Sequence, residues 1–130
     1  MGKILLIDDD DAFNFLNKVI IENAGFSGEI ESCSSAMSAI HVLNSGTFKR
    51  GKPNLIFLDI QMPVMDGFEF LDEFNKMPSS VIDGIKIAML TSSISEKDKS
   101  RSLQYKNVID FIHKPLSEDK VRELGFCYTQ

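Results

Sequence analysis

Two short apolar runs that each end on a carboxylate constrain the fold of this chain more than any other feature. Residues 55–58, Leu-Ile-Phe-Leu, precede Asp59, and residues 3–7, Lys-Ile-Leu-Leu-Ile, precede four consecutive aspartates. Runs of this kind are typical of strands that are buried on both faces of a parallel sheet. Open α/β sheets place their ligands at the carboxyl ends of such strands, so the acids are expected to meet at one edge of the sheet.

Segments with helical periodicity separate these two strands from three more. Strands are predicted over residues 28–33, 85–90 and 108–112, and the first of these is polar enough for an edge strand. Apolar residues then recur at helical spacing, namely Ala12, Phe15, Leu16, Val19 and Ile20; Ala36, Ile40 and Leu43; Leu71 and Phe74; and Val121 and Leu124. The alternation predicts an α/β domain with a parallel sheet, and 130 residues fit one such domain.

The loop after Asp59 contains turn and capping signals. Pro63 has no N–H group to donate within a sheet, so the strand is predicted to end before it. Asp66 and Gly67 turn the chain into the next helix, and Glu69, three residues after Asp66, completes the pattern of a capping box. Asp59 is therefore expected in a short connection between a buried strand and a helix.

The aspartates that follow the first strand allow two interpretations. Asp10 and Asp11 are adequately explained as caps of the next helix, where one or two acids offset the helix dipole. Consecutive carboxylates, however, repel one another and raise each other's pKa values unless a cation intervenes. With Asp8 and Asp9 beside Asp59 at neighbouring strand ends, we favour a site for Mg²⁺, which prefers oxygen ligands.

The fourth and fifth strands end on residues that suit an anion. Thr91 follows the fourth strand, and its hydroxyl can bond a phosphate-like oxygen, although hydroxyls are also ordinary loop residues. Lys114 follows the fifth strand. A lone lysine is usually a solvated surface residue, but beside carboxylates and a metal it serves as a phosphate counter-charge.

Composition excludes several classes of function. A net charge of −5 argues against binding nucleic acid through bulk electrostatics. No apolar run approaches the roughly 18 residues of a membrane span. Cys33 and Cys127 have neither metal-ligand spacing nor the density of a disulfide scaffold. We therefore expect a cytoplasmic protein with reduced thiols that contacts neither nucleic acid nor membranes directly.

Four motifs stand at the strand ends: Leu-Ile-Asp-Asp-Asp at 6–10, Leu-Asp-Ile-Gln-Met-Pro-Val-Met-Asp-Gly at 58–67, Met-Leu-Thr-Ser at 89–92 and Phe-Ile-His-Lys-Pro-Leu at 111–116. In this order they closely resemble the receiver domain of two-component response regulators, including stand-alone chemotaxis-type regulators. The resemblance runs from Lys3 to about Leu124 and implies a single receiver domain over residues 1–130. It implies a doubly wound, flavodoxin-like (βα)5 fold with parallel strands in the order 2-1-3-4-5.

The resemblance implies a phosphoryl-transfer site. Asp59 would be the phosphoacceptor, taking a phosphoryl group from the phosphohistidine of a sensor histidine kinase or a phosphotransfer protein. Asp9, Asp59 and the backbone carbonyl of Gln61 would bind Mg²⁺, with Asp8 reaching it through water. Such a domain is not an enzyme in the usual sense, although it would catalyse its own Mg²⁺-dependent phosphorylation and dephosphorylation.

The resemblance also implies a switch. Thr91 and Lys114 would hold the phosphoryl oxygens, and the Lys114–Pro115 peptide bond would be cis. Inward rotation of Thr91 would vacate space for the ring of Phe111. Many receivers carry tyrosine at this position, and the alternative interpretation of Phe111 is a plain core or boundary aromatic.

The output surface is expected on the predicted fourth helix (95–105), the fifth strand and the last helix. The fourth helix has only Ile94, Leu103 and Tyr105 as apolar anchors, so it should be the least firmly packed helix. No DNA-binding helices follow the last predicted helix. The signal is therefore expected to pass through contacts with a downstream protein target.

Three other functions compete with this interpretation. A pseudo-receiver would act as an interaction module without phosphorylation, but such domains usually lose the acid pair, the acceptor or the lysine. A Mg²⁺-dependent phosphatase that forms an aspartyl phosphate would carry a second aspartate at the position of Gln61. A redox flavoprotein of similar topology would need a phosphate-cradling loop where the acids at 8–11 stand.

Overall fold

The computed structural model describes residues 2–45, 53–93 and 95–125. The predicted end of the second helix near Gly46, the loop after it, Ile94 and Cys127 lie outside these ranges. The strands are β1 (Lys3–Ile7), β2 (Glu29–Cys33), β3 (Leu55–Asp59), β4 (Lys86–Thr91) and β5 (Val108–His113). The helices are α1 (Asp11–Asn23), α2 (Ala36–Ser45), α3 (Gly67–Asn75), α4 (Ser79–Ile82), α5 (Glu96–Ser102) and α6 (Glu118–Glu123).

The sheet is entirely parallel, with its strands in the order β2-β1-β3-β4-β5. Strands β1 and β3 are buried at every position, whereas β2 at the edge is largely half-exposed. Continuous apolar runs thus occupy the middle of the sheet, where both faces of a strand are covered. The predicted fold class and strand order are confirmed.

Helices cover both faces of the sheet. Because successive side chains of a strand point to opposite faces, β1 contributes to two cores. Leu5 and Ile7 pack into the core beneath α2 and α3, whereas Ile4 and Leu6 pack into the core beneath α1 and α6. This arrangement is the doubly wound architecture, in which ligands bind at the carboxyl ends of the strands.

Helix α1 does not bury the face that its apolar residues predict. Phe15 and Leu16 are 70% and 44% exposed, and the buried positions are Asn14, Asn17 and Ile21. The side-chain amide of Asn14 donates to the main-chain carbonyl of Asp8 at 3.0 Å, which turns this polar residue toward the sheet. Apolar periodicity could not detect a buried stripe in which two of three residues are asparagines.

The helices on either side of β4 are short, and α5 buries little apolar surface. A one-turn helix that the sequence pattern did not predict, α4, follows Pro78. Helix α5 buries only Ser102, and Leu103, a predicted anchor, is 47% exposed. Tyr105, also a predicted anchor, is half-buried against the core beneath α2 and α3, and its hydroxyl donates to a carboxylate oxygen of Asp72 in α3 at 2.6 Å. This supports the prediction that the helix before β5 has little apolar packing.

The loop between β3 and α3 holds a strained residue. Val64 has a φ of 70°, and the N–H of Met65 donates to the carbonyl of Pro63 across it at 2.8 Å. A β-branched residue is unfavourable in this left-handed region, where its Cβ crowds the backbone. The side chain of Val64 is 88% exposed, so packing does not compensate for the strain.

Replacing Val64 should therefore stabilise the fold. We expect Val64→Asn to raise the free energy of unfolding by about 1 kcal/mol, because asparagine tolerates positive φ. Val64→Ala is the matched control, since it trims the same exposed side chain but keeps a Cβ that disfavours this φ. Urea denaturation measures the free energy of unfolding of both variants. Equal values for the two would contradict the claim that Val64 is strained.

Candidate functional site at the carboxyl edge of the sheet

Parallel pairing brings the predicted site residues to one edge of the sheet. The register aligns Ile7 with Leu58, and Thr91 with His113, at the carboxyl ends of adjacent strands. The residues that follow or end these strands therefore gather at this edge. They are Asp8, Asp9, Asp59, Thr91 and Lys114.

Three carboxylates lie close enough together to bind one cation. Asp8, Asp9 and Asp59 each offer an oxygen within 4.8 Å of the others. Asp8 and Asp59 are buried, whereas Asp9 is exposed, so the cluster opens to solvent on one side. A set of carboxylate oxygens suits Mg²⁺ by its chemistry. Gln61 follows with an exposed side chain, and participation of its carbonyl remains a prediction.

Lys114 reaches into this cluster. Its Nζ lies 2.9 Å from Oδ2 of Asp8 and 3.2 Å from Oδ1 of Asp59. The lysine side chain is only 11% exposed, which excludes a freely solvated surface residue. The alternative interpretation of Lys114 as an ordinary surface charge is therefore wrong, and the predicted position on the same edge as the acids is confirmed.

The electrostatics of the cluster favour a further cation. Burial and the charge of Asp8 raise the pKa of Asp59 to about 6, although Lys114 and the Gln61 N–H act in the opposite direction. Burial alone would lower the pKa of Lys114, but Asp8 and Asp59 together raise it. One ammonium group thus faces three carboxylates, and an added divalent cation would relieve their mutual repulsion.

Thr91 lies at the edge, but its hydroxyl does not face the acids. The side chain is buried, donates to the Ser93 carbonyl at 2.9 Å and accepts from the Ser93 N–H at 3.1 Å. Phe111 is 8% exposed and belongs to the core beneath α2 and α3. Its burial agrees with the interpretation as a core aromatic, and a switching role for either residue remains a prediction.

The predicted structural residues hold the loop that follows Asp59. Asp66 accepts from the N–H of Glu69, and the Glu69 carboxylate accepts from the N–H of Asp66, so the capping box is present. Gly67 donates its N–H to the carbonyl of Ile60 at 2.8 Å. A Cβ at Gly67 would lie 2.9 Å from the carbonyl oxygen of Asp59, which explains the glycine. The peptide bond before Pro115 is cis.

Two residues of α1 contact the site and were not predicted. The ring of Phe13 lies under Lys114, with Nζ 4.5 Å from the ring centroid. Asn14 donates to the Asp8 carbonyl, as described above. The spacing of Asn14 with Asn17 and Ile21, at i+3 and i+7, could have indicated a shared buried face. No sequence signal distinguishes Phe13 from the other apolar residues of the helix.

Comparison with solved structures identifies close counterparts of this fold. A two-component response regulator from Cytophaga hutchinsonii superposes with a TM-score of 0.87 at 32% identity, covering 95% of this chain and 92% of that one. A response regulator receiver protein from Dyadobacter fermentans superposes with a TM-score of 0.82 at 25% identity, covering 98% of both chains. Among the described residues, no helix has the length and apolarity that a bilayer span requires.

Sequence relatives agree with these structures. The probable methanogenesis regulatory protein FilR2 of Methanothrix harundinacea is 31% identical over 121 residues, which cover 92% of this chain and 76% of the relative. A CpxR homologue from Haemophilus influenzae is 29% identical, and this chain spans 46% of its length. The family model of the response regulator receiver domain matches residues 4–124. The chain therefore belongs to the receiver domains of two-component response regulators.

Proposed function

We propose that this receiver domain accepts a phosphoryl group on Asp59 with the help of Mg²⁺. Receiver domains interact with histidine kinases and downstream effectors, and they bind Mg²⁺ through an acidic cluster. The observation that carries the proposal is the position of Lys114, whose Nζ lies 3.2 Å from Oδ1 of Asp59 within the acidic cluster. This combination supplies a nucleophile, a counter-charge and metal ligands at one point.

The proposed transfer requires positioning and charge neutralisation more than covalent work from other groups. A carboxylate oxygen of Asp59 attacks phosphorus, and the bond from phosphorus to the phosphohistidine nitrogen of the donor breaks. Lys114 stays protonated and donates to the phosphoryl oxygens. Asp8, Asp9, Asp59 and the Gln61 carbonyl would hold Mg²⁺, which neutralises further charge on the phosphoryl group.

Transmission is proposed to begin at Thr91. Phosphorylation adds roughly one to two negative charges and three acceptor oxygens, which compete with Ser93 for the threonine hydroxyl. A hydrogen bond to a charged oxygen contributes about 1.5–3 kcal/mol. That difference shifts a two-state equilibrium about ten- to a hundredfold. Phe111 would then repack into the space that Thr91 leaves.

The output surface is proposed on α5, β5 and α6, the face predicted from the sequence. Leu103 and Ile109 are 47% and 40% exposed there, so apolar side chains are available to a downstream protein. Sparse packing of α5 permits movement without disrupting either core. A phosphorylation-independent interaction module is the alternative, and the experiments below discriminate between the two.

Phosphorylation should depend on Asp59 alone. Incubation with Mg²⁺ and acetyl phosphate should add one phosphoryl group to the intact protein mass, and Asp59→Asn should abolish this addition. Asp10→Asn is the control, because Asp10 caps α1 through the N–H of Ala12 and lies outside the three-carboxylate cluster. A wild-type protein that gains no phosphoryl group would favour the phosphorylation-independent module.

Mg²⁺ affinity should fall as the pH is lowered through about 6. The pKa of Asp59 is raised to about 6, so below that pH a proton occupies a proposed metal ligand. Competition by one proton weakens binding about tenfold per pH unit, and affinity should level off above about pH 7. Isothermal titration from pH 5 to 8 measures this. Asp59→Asn should bind more weakly with a flatter profile, and a flat wild-type profile would contradict the role of Asp59.

Thr91→Ala should separate phosphorylation from transmission. The variant should still gain a phosphoryl group, since the Thr91 hydroxyl bonds to the main chain of Ser93 and the three-carboxylate cluster is built from other residues. Hydrogen exchange should then report a smaller response of residues 95–112 to phosphorylation than in the wild type. Residues 12–45 provide the internal control, and a wild-type response concentrated there would place the output surface elsewhere.

A further inference from the structure

The ammonium group of Lys114 contacts the ring face of Phe13 as well as the carboxylates of Asp8 and Asp59. Nζ lies 4.5 Å from the ring centroid, within the roughly 6 Å range of a cation–π contact. Phe13 is half-buried in the first turn of α1, and the lysine side chain is 11% exposed. Partial exclusion of water strengthens this attraction relative to a fully exposed pair.

The ring contact differs from the ion pairs in its response to a metal. Lys114 pairs with Asp8 and Asp59, and these two carboxylates belong to the cluster that can hold a cation. A divalent cation would compensate their charge and repel the ammonium group, so the ion pairs would weaken when the metal binds. A phenyl ring is not a Mg²⁺ ligand and carries no net charge, so its attraction for Lys114 remains.

We propose that Phe13 is a positioning residue that holds Lys114 beside Asp59 when Mg²⁺ occupies the carboxylates. The inference rests on the proposed function, in which Lys114 donates to the transferred phosphoryl group. Because a ring face competes only weakly for hydrogen bonds, the ammonium N–H groups stay available to phosphoryl oxygens. With acetyl phosphate, the Asp59–phosphorus bond forms, the bond from phosphorus to the acetate oxygen breaks, and acetate leaves while Lys114 keeps its proton.

Two substitutions distinguish the effect of the Phe13 π face from the effect of its apolar volume. Phe13→Leu keeps an apolar side chain but removes the π face, and Phe13→Tyr keeps the π face. At saturating Mg²⁺, Phe13→Leu should slow phosphorylation by acetyl phosphate about three- to thirtyfold, the range of a partly desolvated cation–π contact. Phe13→Tyr should stay near the wild-type rate. The Mg²⁺ dissociation constant should be unchanged in both, whereas equal rates for wild type and Phe13→Leu would overturn the proposal.

A double substitution tests whether Phe13 acts on phosphorylation through Lys114. In a Lys114→Met background, Phe13→Leu should change the residual phosphorylation rate by less than about twofold, because the interaction partner is gone. A merely structural role of the ring would slow transfer in both backgrounds. An undiminished effect in the Lys114→Met protein would therefore overturn the assignment.

A spectroscopic measurement tests the contact independently of any phosphorylation. The ε-methylene protons of Lys114 lie near the ring face, so their NMR signals should be shifted upfield in the wild type and not in Phe13→Leu. The upfield shift should persist at saturating Mg²⁺. Its disappearance on adding Mg²⁺ would overturn the inference. If the wild type accepted no phosphoryl group but kept this shift, the proposed function would fail while the contact stood.

Discussion

The ion pairs of Lys114 with Asp8 and Asp59 connect three strands of the sheet through one side chain. Asp8 follows β1, Asp59 ends β3 and Lys114 follows β5, so the contact exists only when these strands are parallel and correctly registered. The sheet order places β3 between β1 and β4, and β5 beyond β4. The strand order and register therefore bring the site residues together, and each side chain contributes its charge or its hydrogen-bonding groups.

The same contact leaves the site with excess negative charge. Three carboxylates face one ammonium group, two of the acids are buried, and the pKa of Asp59 is about 6 as a result. A buried acid with a raised pKa costs stability when it ionises, so the mutual repulsion of these carboxylates destabilises the fold at pH values above the pKa of Asp59. A divalent cation held by the three carboxylates would offset their repulsion and so restore that stability.

The parts that sequence reasoning predicted correctly share one physical basis. Continuous apolar runs report strands buried on both faces, and the residue after each run must lie at the edge where parallel strands end. Asp59 and Lys114 follow from this rule alone. The sequence contains no comparable signal for which face of a helix is buried or for which way a side chain rotates about a single bond. The exposure of Phe15, the contact of Phe13 with Lys114 and the turn of Thr91 toward Ser93 depend on tertiary packing, so the sequence pattern could not predict them.

The close approach at Gly67 has a consequence for how errors in this protein would appear. Helix α3 begins directly against the main chain of Asp59 and Ile60, with no room for a side chain between them. Ile60 also belongs to the core beneath α2 and α3, so added bulk at Gly67 would displace the main chain at Asp59 and Ile60 and disturb the carboxylate cluster and that core together. A loss of the site at this position would therefore be accompanied by a loss of thermal stability, because the same close approach fixes the Asp59 main chain and one edge of a core.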